Sequence, residues 1–251
     1  MSTWESIFVE ELRKITFRHG DPKSLSNYVI MVLGVPSKAA EKKLDKSYES
    51  GPAIIGEYKG ISVSIAPRKG GTIQLESFLR LIPQDKTEYI IGLGAVGALQ
   101  DNIQIGDIII PTEAVRGEGM TGYYYPSDVP AKPDKGLTDI LFESSLDSNT
   151  RVHTGTIFTT GTLLHETDGL VEEWHNKGYL GVECEASALF LLSQYCGFKS
   201  ALVLYVTDNP YKKEIFTQNF CSMLKAIRAQ RHAVRTIFDT IVRIDNQEYQ
   251  I

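Results

Sequence analysis

The sequence predicts one α/β domain, in which buried strands alternate with helices along the 251 residues. Short, continuous apolar runs indicate strands that are buried on both faces, as in a parallel or mixed sheet covered by helices. Segments with helical apolar spacing lie between several of these runs, which is the pattern of an α/β fold. Because no internal repeat or low-complexity linker interrupts the pattern, residues 1–251 are assigned to that domain, with 1–25 as an N-terminal extension.

The strand signals are short apolar runs closed by Gly, Pro or Asp residues. The predicted strands are Tyr28–Leu33, Ile61–Ala66, Tyr89–Leu93, Asp107–Ile110, Val152–Phe158 and Ala201–Thr207.

The helix signals begin at the N-terminus, where apolar residues recur at helical spacing from Trp4 to Ile15. A polar connection, Thr16–Leu25, follows. A long irregular stretch, Arg116–Lys135, is rich in Gly, Tyr and Pro, and loops of that length in a compact domain are often functional. The other predicted helices are Ser37–Lys46, Thr72–Ile82, Asp134–Leu146, Asp168–Lys177, Glu185–Cys196 and Glu214–Arg243.

The charge balance is mildly acidic, with 26 Lys and Arg against 31 Asp and Glu and a net charge of −5. Binding to a nucleic acid or a membrane surface needs a basic footprint, so both classes of partner are excluded. A small anion needs only a few local positive groups or backbone N–H donors. No apolar run is long enough to span a membrane, and acids interrupt the first apolar pattern, unlike a secretory signal. We therefore expect a cytoplasmic protein.

Cysteine and histidine spacing gives no sign of a metal site. Cys184, Cys196 and Cys221 show neither CxxC nor Cys/His spacing, so reduced thiols are expected. The histidines have no metal-ligand spacing either. We expect no metal and no organic cofactor.

A GxGxxG sequence, Gly92–Gly97, directly follows a predicted strand. Dinucleotide binding would require a helix to begin there, with its N-terminus facing the pyrophosphate. Residues 98–107 are too few and too polar for that helix and run into the next strand. We expect instead a glycine-rich turn where the backbone closely approaches a neighbour, with binding of a small anion by successive N–H groups as the functional alternative.

Short motifs at predicted strand ends follow one another between Val32 and Asn209. They are Val32–Ala39, Tyr58–Val63, Gly94–Gln100, Ile105–Gly119, Gly181–Leu189 and Leu204–Asn209. In this order they resemble the nucleoside phosphorylase family that contains uridine phosphorylase, the hexameric purine nucleoside phosphorylases and the methylthioadenosine nucleosidases. The shared order makes the resemblance more specific than any one motif.

This resemblance implies a three-layer α/β/α fold with a central mixed, partly barrel-like sheet. It implies a pentosyltransferase of nucleoside salvage that cleaves the N-glycosidic bond with phosphate as co-substrate, giving free base and ribose 1-phosphate. It also implies a homo-oligomer, either a dimer or a trimer of dimers, with sites completed by a neighbouring subunit.

The ribose site is assigned to residues near the predicted start of a helix. Cleavage of the glycosidic bond builds positive charge on the ribose, which a nearby carboxylate stabilises. By resemblance, Glu185 binds the 2′ and 3′ hydroxyls and acts in catalysis, Glu183 is a second ribose-binding acid, and Cys184 is an apolar wall against the ribose. His19 is a candidate for the ribose contact that this family makes across a subunit interface. The residues alone also fit an acidic first turn favoured by the helix dipole.

The base site is assigned to Gly97, Leu163 and Asp208. By resemblance, Asp208 is the catalytic acid that hydrogen-bonds or protonates N7 of a purine, a role that suits a carboxyl group with a raised pKa. The uridine-specific branch generally lacks this acid, so a purine is favoured and uridine stays an alternative. The structural alternative is a cap on the turn before Pro210.

The phosphate site is assigned to Gly34, Lys38, Gly94 and Ala95. The family grips phosphate with arginines, which form bidentate forks. Here Lys38 stands at the first arginine position, Gly92 at the second, and Ala95 at the position of a hydroxyl residue. Arg68 and Lys69 follow a predicted strand and are candidates to compensate.

These departures leave open three functions for the chain, since a dianion buried without charge partners is costly. The first is a phosphorylase with a rearranged phosphate site. The second is a phosphate-independent nucleosidase, and the third is a non-catalytic nucleoside-binding homologue.

Overall fold

A computed structural model describes residues 3–66, 70–146 and 150–246. One mixed sheet runs through these residues, with helices on its faces. The strands are β1 (Tyr28–Leu33), β2 (Asp45–Ser50), β3 (Ala53–Tyr58), β4 (Ile61–Ala66), β5 (Tyr89–Ala98), β6 (Ile108–Gly117), β7 (Val152–Thr160), β8 (Gly181–Glu183), β9 (Lys199–Asn209) and β10 (Glu214–Ile215). The helices are α1 (Thr3–Thr16), α2 (Lys38–Glu41), α3 (Thr72–Leu81), α4 (Lys135–Ser145), α5 (Asp168–Asn176), α6 (Ala186–Cys196) and α7 (Phe220–Asp245).

Five of the strands close into a barrel. β9 pairs with β6, β6 with β7, β7 with β8, β8 with β5, and β5 with β9, so the ring returns to its first strand. β1, β4, β3 and β2 continue from β5 as an open sheet. Both parallel and antiparallel pairs occur in the ring, which confirms the mixed, partly barrel-like sheet.

The side chains of β5 divide between two apolar cores, one on each face of the sheet. Ile90 and Val96 belong to the core that includes α3 and α6, whereas Ile91 and Leu93 belong to the core under α4 and α7. Burial on both faces explains why the strand is continuously apolar rather than alternating. The prediction of an α/β fold in three layers is therefore confirmed.

All of the predicted strands are present, and several are longer than predicted. β1 and β4 have the predicted bounds, and β5, β6, β7 and β9 extend further towards their carboxyl ends. In β5 the extension, Gly94–Ala98, is poor in large side chains but is paired on both edges, with β9 on one side and with β1 and then β8 on the other. Backbone pairing within a barrel thus continues where the apolar signal weakens.

The predicted helix Ser37–Lys46 is wrong. Only Lys38–Glu41 is helical, and Asp45–Ser50 is a strand that pairs with β3 at the edge of the sheet. Most of β2 is exposed and polar, as is usual for an edge strand, so the sequence lacks a strand signal there. β3 and the three-residue β8 were also not predicted.

The ends of the chain largely match their predictions. The N-terminal helix is confirmed as α1, which is joined to α3 by Arg80 Nη2–Glu5 Oε1 at 2.5 Å. The last helix begins at Phe220 rather than Glu214, because Asn219 caps it and Glu214–Ile215 pairs with β9. Across the three described ranges, no helix combines the length and the apolarity needed to cross a membrane.

The irregular stretch after β6 is held by one arginine. Arg116 Nε donates to Thr121 Oγ1 (2.9 Å) and its Nη2 donates to the Tyr125 carbonyl (2.9 Å). Tyr124 lies edge-on to Tyr195 of α6, with ring centroids 5.0 Å apart. The loop is therefore packed onto the helix that directly follows the predicted ribose residues.

Candidate functional site

Several of the predicted site residues meet at one edge of the barrel. β1, β5 and β9 are parallel neighbours, so their carboxyl ends lie together. Gly34 follows β1, Gly97 lies near the end of β5, and Asp208 lies near the end of β9. β8 pairs with β5 through Gly97 and Val182, which brings Glu183–Glu185 to the same edge. Ligands of open α/β sheets bind at such carboxyl ends.

Glu185 is held against the glycines that precede α3. The Gly71 N–H donates to Glu185 Oε1 at 2.6 Å. A Cβ built at Gly70 would lie 3.1 Å from the same oxygen and 3.0 Å from Gly34 Cα. The predicted ribose acid and the predicted phosphate turn are therefore neighbours. Burial raises the pKa of Glu185, and the hydrogen bond from Gly71 opposes that shift.

Glu183 is buried and anchors the start of α6. Its Oε1 accepts a hydrogen bond from Thr159 Oγ1 (2.6 Å), and its Oε2 accepts the N–H groups of Glu185 (2.7 Å) and Ala186 (2.8 Å). Desolvation raises the pKa of this carboxyl to about 7, although all three hydrogen bonds favour the charged form. These contacts orient Glu185, and direct binding of ribose by Glu183 stays a prediction.

Cys184 lies half-buried among carboxyl groups. Burial, followed by the charges of Glu185, Glu183 and Glu166, raises the pKa of its thiol to about 12. A thiol that stays protonated at neutral pH is a poor nucleophile. A neutral thiol agrees with the predicted role of Cys184 as an uncharged wall against the ribose, which stays a prediction.

Asp208 faces Gly97 across the β5–β9 pair. A Cβ built at Gly97 would lie 2.7 Å from Asp208 Oδ2, so a side chain at that position would displace the carboxyl. Thr207 Oγ1 donates to Asp208 Oδ1 at 2.7 Å, and burial raises the pKa of the acid. The cap of the following turn is supplied by Asn209, whose Oδ1 accepts the Lys212 N–H (3.0 Å). The capping alternative for Asp208 is therefore not what the structure shows.

Glu166 is a candidate residue that the sequence did not reveal. It lies in the loop between β7 and α5, and burial, followed by the charge of Asp208, raises its pKa to about 7. After this loop, Asp168 at the start of α5 forms an exposed ion pair with Lys213 Nζ (3.0 Å), in the segment that follows Asp208. The only available signal was an acid shortly after a strand end, which is too common to single it out.

The predicted phosphate residues have unequal surroundings. Gly34 is exposed with a φ of 63°, a conformation that favours glycine, and Lys38 is exposed at the start of α2. Gly94 packs against Leu204, and Ala95 is half-buried on the face of β5 that packs under α7. Arg68 and Lys69 lie outside the described residues.

The predicted glycine-rich turn is wrong, because Gly92–Gly97 lies within β5. A Cβ built at Gly92 would lie 2.6 Å from Leu202 Cδ1 and 2.8 Å from Leu189 Cδ2. The close approach is therefore to apolar side chains. Backbone pairing with β1 and β9 also occupies this segment, so it forms no nest for an anion. Two leucines fill the space that an arginine would need at position 92.

Two other predicted residues, Leu163 and His19, are exposed and take no part in the contacts described above. Leu163 is 72% exposed, and His19 is an exposed loop residue whose ring accepts a hydrogen bond from Arg18 Nε (3.1 Å). Their roles in binding base and ribose stay predictions. In the predicted contact across a subunit interface, His19 would reach the ribose bound in the site of a neighbouring subunit.

Comparison with known proteins identifies relatives over most of the chain. Residues 29–238 match the family described as the phosphorylase superfamily. The chain is 24% identical to uridine phosphorylase of Salmonella typhimurium over 245 residues, which cover 90% of each protein. It is 24% identical to the DeoD-type purine nucleoside phosphorylase of Hahella chejuensis over 204 residues, or 75% of this chain and 84% of that protein.

Two further comparisons give a relative with higher identity over a shorter segment and a solved structure with a similar fold. Guanosine phosphorylase of Halorubrum lacusprofundi is 28% identical over 148 residues, which span 59% of this chain and 56% of that relative. The crystal structure of uridine phosphorylase from Vibrio fischeri superposes with a TM-score of 0.82 at 24% identity, covering 89% of this chain and 95% of that one.

Proposed function

The chain belongs to the phosphorylase superfamily, and from this premise we propose that it is a nucleoside phosphorylase with a preference for purine nucleosides. The proposed reaction cleaves the N-glycosidic bond with phosphate and releases free base and ribose 1-phosphate. The observation that carries the proposal is that Glu185 and Asp208 lie at one edge of the barrel, each with a pKa raised by burial.

The two acids are given different tasks. Burial raises the pKa of both carboxyls, and each accepts one hydrogen bond that favours its charged form, from the Gly71 N–H to Glu185 and from Thr207 Oγ1 to Asp208. The resemblance supports Glu185 as the ionised group that stabilises a cationic ribose. It supports the half-buried Asp208, beside Gly97, as the acid that donates to N7 of the departing purine, and the raised pKa of Asp208 suits that role.

The preference for purine is supported by Asp208, since a uracil base has no N7 to protonate. The names of the relatives cover both pyrimidine and purine nucleosides, as uridine phosphorylases and as guanosine and purine nucleoside phosphorylases. The proposal for this chain therefore rests on its own acid. Homo-oligomeric assembly and a cytoplasmic location stay predictions.

Phosphate dependence tests the reaction directly. We expect inosine and adenosine to be cleaved only when phosphate is present, with ribose 1-phosphate as the sugar product, and uridine to be cleaved more slowly. Base release and sugar product are measured with and without phosphate. Equal cleavage without phosphate would identify a nucleosidase. Stabilisation by nucleosides without turnover would identify a binding protein.

Glu166→Gln is expected to change the pH profile of purine cleavage. The pKa of Glu166 is about 7, so its carboxyl gains a negative charge beside Asp208 as the pH rises through neutrality. That charge opposes build-up of negative charge on the departing base, and kcat/KM of the unmodified enzyme should fall severalfold, up to about tenfold, across this step.

In Glu166→Gln the neutral side chain removes this step, so the profile should be flatter around neutrality. The measurement is kcat/KM for inosine over a pH series in both proteins. Glu172→Gln, on the exposed face of α5, is the matched control and should keep the original profile. An unchanged profile in Glu166→Gln would contradict the assignment.

A further inference from the structure

A basic cavity of about 410 Å³ lies between α2 and α7, outside the proposed nucleoside site. None of its lining residues belongs to the sets predicted for ribose, base or phosphate. The described lining residues are Ala39, Lys43, Thr150, Arg228, Arg231, His232, Val234 and Arg235. Four of these side chains are cationic, in a chain whose net charge is −5.

The arginines of α7 face the cavity together. Arg228 and Arg231 are three positions apart and Arg235 follows four positions later, so all three lie on one side of the helix. Arg228, Arg231 and Lys43 have no carboxylate within 4.0 Å in the parts of the chain that the structure describes. Like charges at this spacing repel one another, which costs helix stability unless an anion lies between them.

One of the arginines is positioned by a buried histidine. His232 is 6% exposed, and its Nε2 lies 3.0 Å from the Ser145 carbonyl oxygen. A carbonyl only accepts, so Nε2 carries the proton and Nδ1 is left to accept from Arg235 Nη2 at 3.1 Å. Burial, followed by the charge of Arg235, keeps the pKa of His232 below its usual range. A neutral histidine therefore holds the guanidinium in the cavity.

The lining identifies a class of ligand. Guanidinium groups bind phosphate oxygens through paired N–H donors, and an ammonium group adds a point charge. Several cations around one cavity match an anion with several charged groups better than a single phosphate. Ala39 adds a small apolar surface. We propose that this cavity binds a small polyphosphate, either inorganic or carried by a nucleotide.

The test is calorimetric titration with inorganic tripolyphosphate and with ATP at constant ionic strength. We expect the unmodified protein to bind one molecule per chain, and Arg228→Ala/Arg231→Ala to bind at least tenfold more weakly. Lys23→Ala/Lys86→Ala removes the same charge from exposed sites elsewhere and should bind as the unmodified protein does. Tighter binding of ATP than of tripolyphosphate would assign the ligand to the nucleotide class, and equal binding to the inorganic class.

Three results would overturn the proposal: no binding by the unmodified protein, unchanged binding in Arg228→Ala/Arg231→Ala, or equal weakening in both double variants. Lys43→Glu, at an exposed position after α2, keeps the test decisive if the arginine variant does not fold. This variant should also bind tripolyphosphate and ATP at least tenfold more weakly than the unmodified protein. Turnover of inosine, where present, should be unchanged in these variants. Because binding is read without turnover, the outcome is independent of the proposed enzyme activity.

Discussion

Glu185→Ala is expected to lower kcat/KM on every nucleoside that the protein cleaves, by about 10²- to 10³-fold. The reason is that the cationic ribose develops beside this carboxylate whichever base departs, so its loss affects all substrates in the same way. Steady-state kinetics with inosine, adenosine and uridine measure the effect.

Glu185→Gln separates charge from shape. The amide oxygen can still accept the Gly71 N–H, which donates to Glu185 Oε1 in the native chain, but the negative charge is gone. We expect Glu185→Gln to lose most of the activity that Glu185→Ala loses, with a similar thermal unfolding midpoint. Glu172→Ala, on the exposed face of α5, is the control for removal of an acid. Full activity in either Glu185 variant would remove the proposed ribose site.

Asp208→Asn is expected to lower kcat/KM for inosine by about 10²- to 10⁴-fold, the usual contribution of a general acid. Asparagine has nearly the same shape and can keep the contact with Thr207, but it has no acidic proton for N7. Uridine cleavage should change much less. Asp139→Asn, on the exposed side of α4, controls for the loss of one carboxylate.

A substrate that needs no N7 proton sharpens this test. 7-Methylguanosine already carries a positive charge on its imidazole ring, so its base departs without protonation. Asp208→Asn should therefore retain far more activity on 7-methylguanosine than on inosine. An equal loss on both nucleosides would show that Asp208 supports the fold of the site and not the proton transfer.

The burial pattern of the strands determined much of the fold in advance. Continuous apolar runs such as Tyr28–Leu33 and Ile61–Ala66 have only one stable environment, a sheet covered on both faces, and both strands have the predicted bounds. The edge strand Asp45–Ser50 was missed because an exposed strand needs no apolar pattern, and its pairing with β3 outweighs the local helical signal.

The candidate site was only partly accessible from the sequence. Glu185 and Asp208 stand in motifs with recognisable neighbours, so both were assigned before any geometry was known. Glu166 has no such motif, and its interaction with Asp208 exists only because the tertiary structure brings the loop before α5 near the end of β9. Likewise, the cationic cavity joins Lys43 to Arg228, which are 185 positions apart in the sequence.

The sequence by itself determined the strand–helix alternation, the family motifs and the absence of an arginine at position 92, because these depend on residue type and spacing. Only the tertiary structure decided what occupies the space at Gly92, where Leu202 and Leu189 pack against the strand. It likewise decided that Glu183 anchors α6 through backbone N–H groups. The physical reason is that burial and hydrogen-bond partners depend on residues distant in the chain, which meet only when the barrel closes.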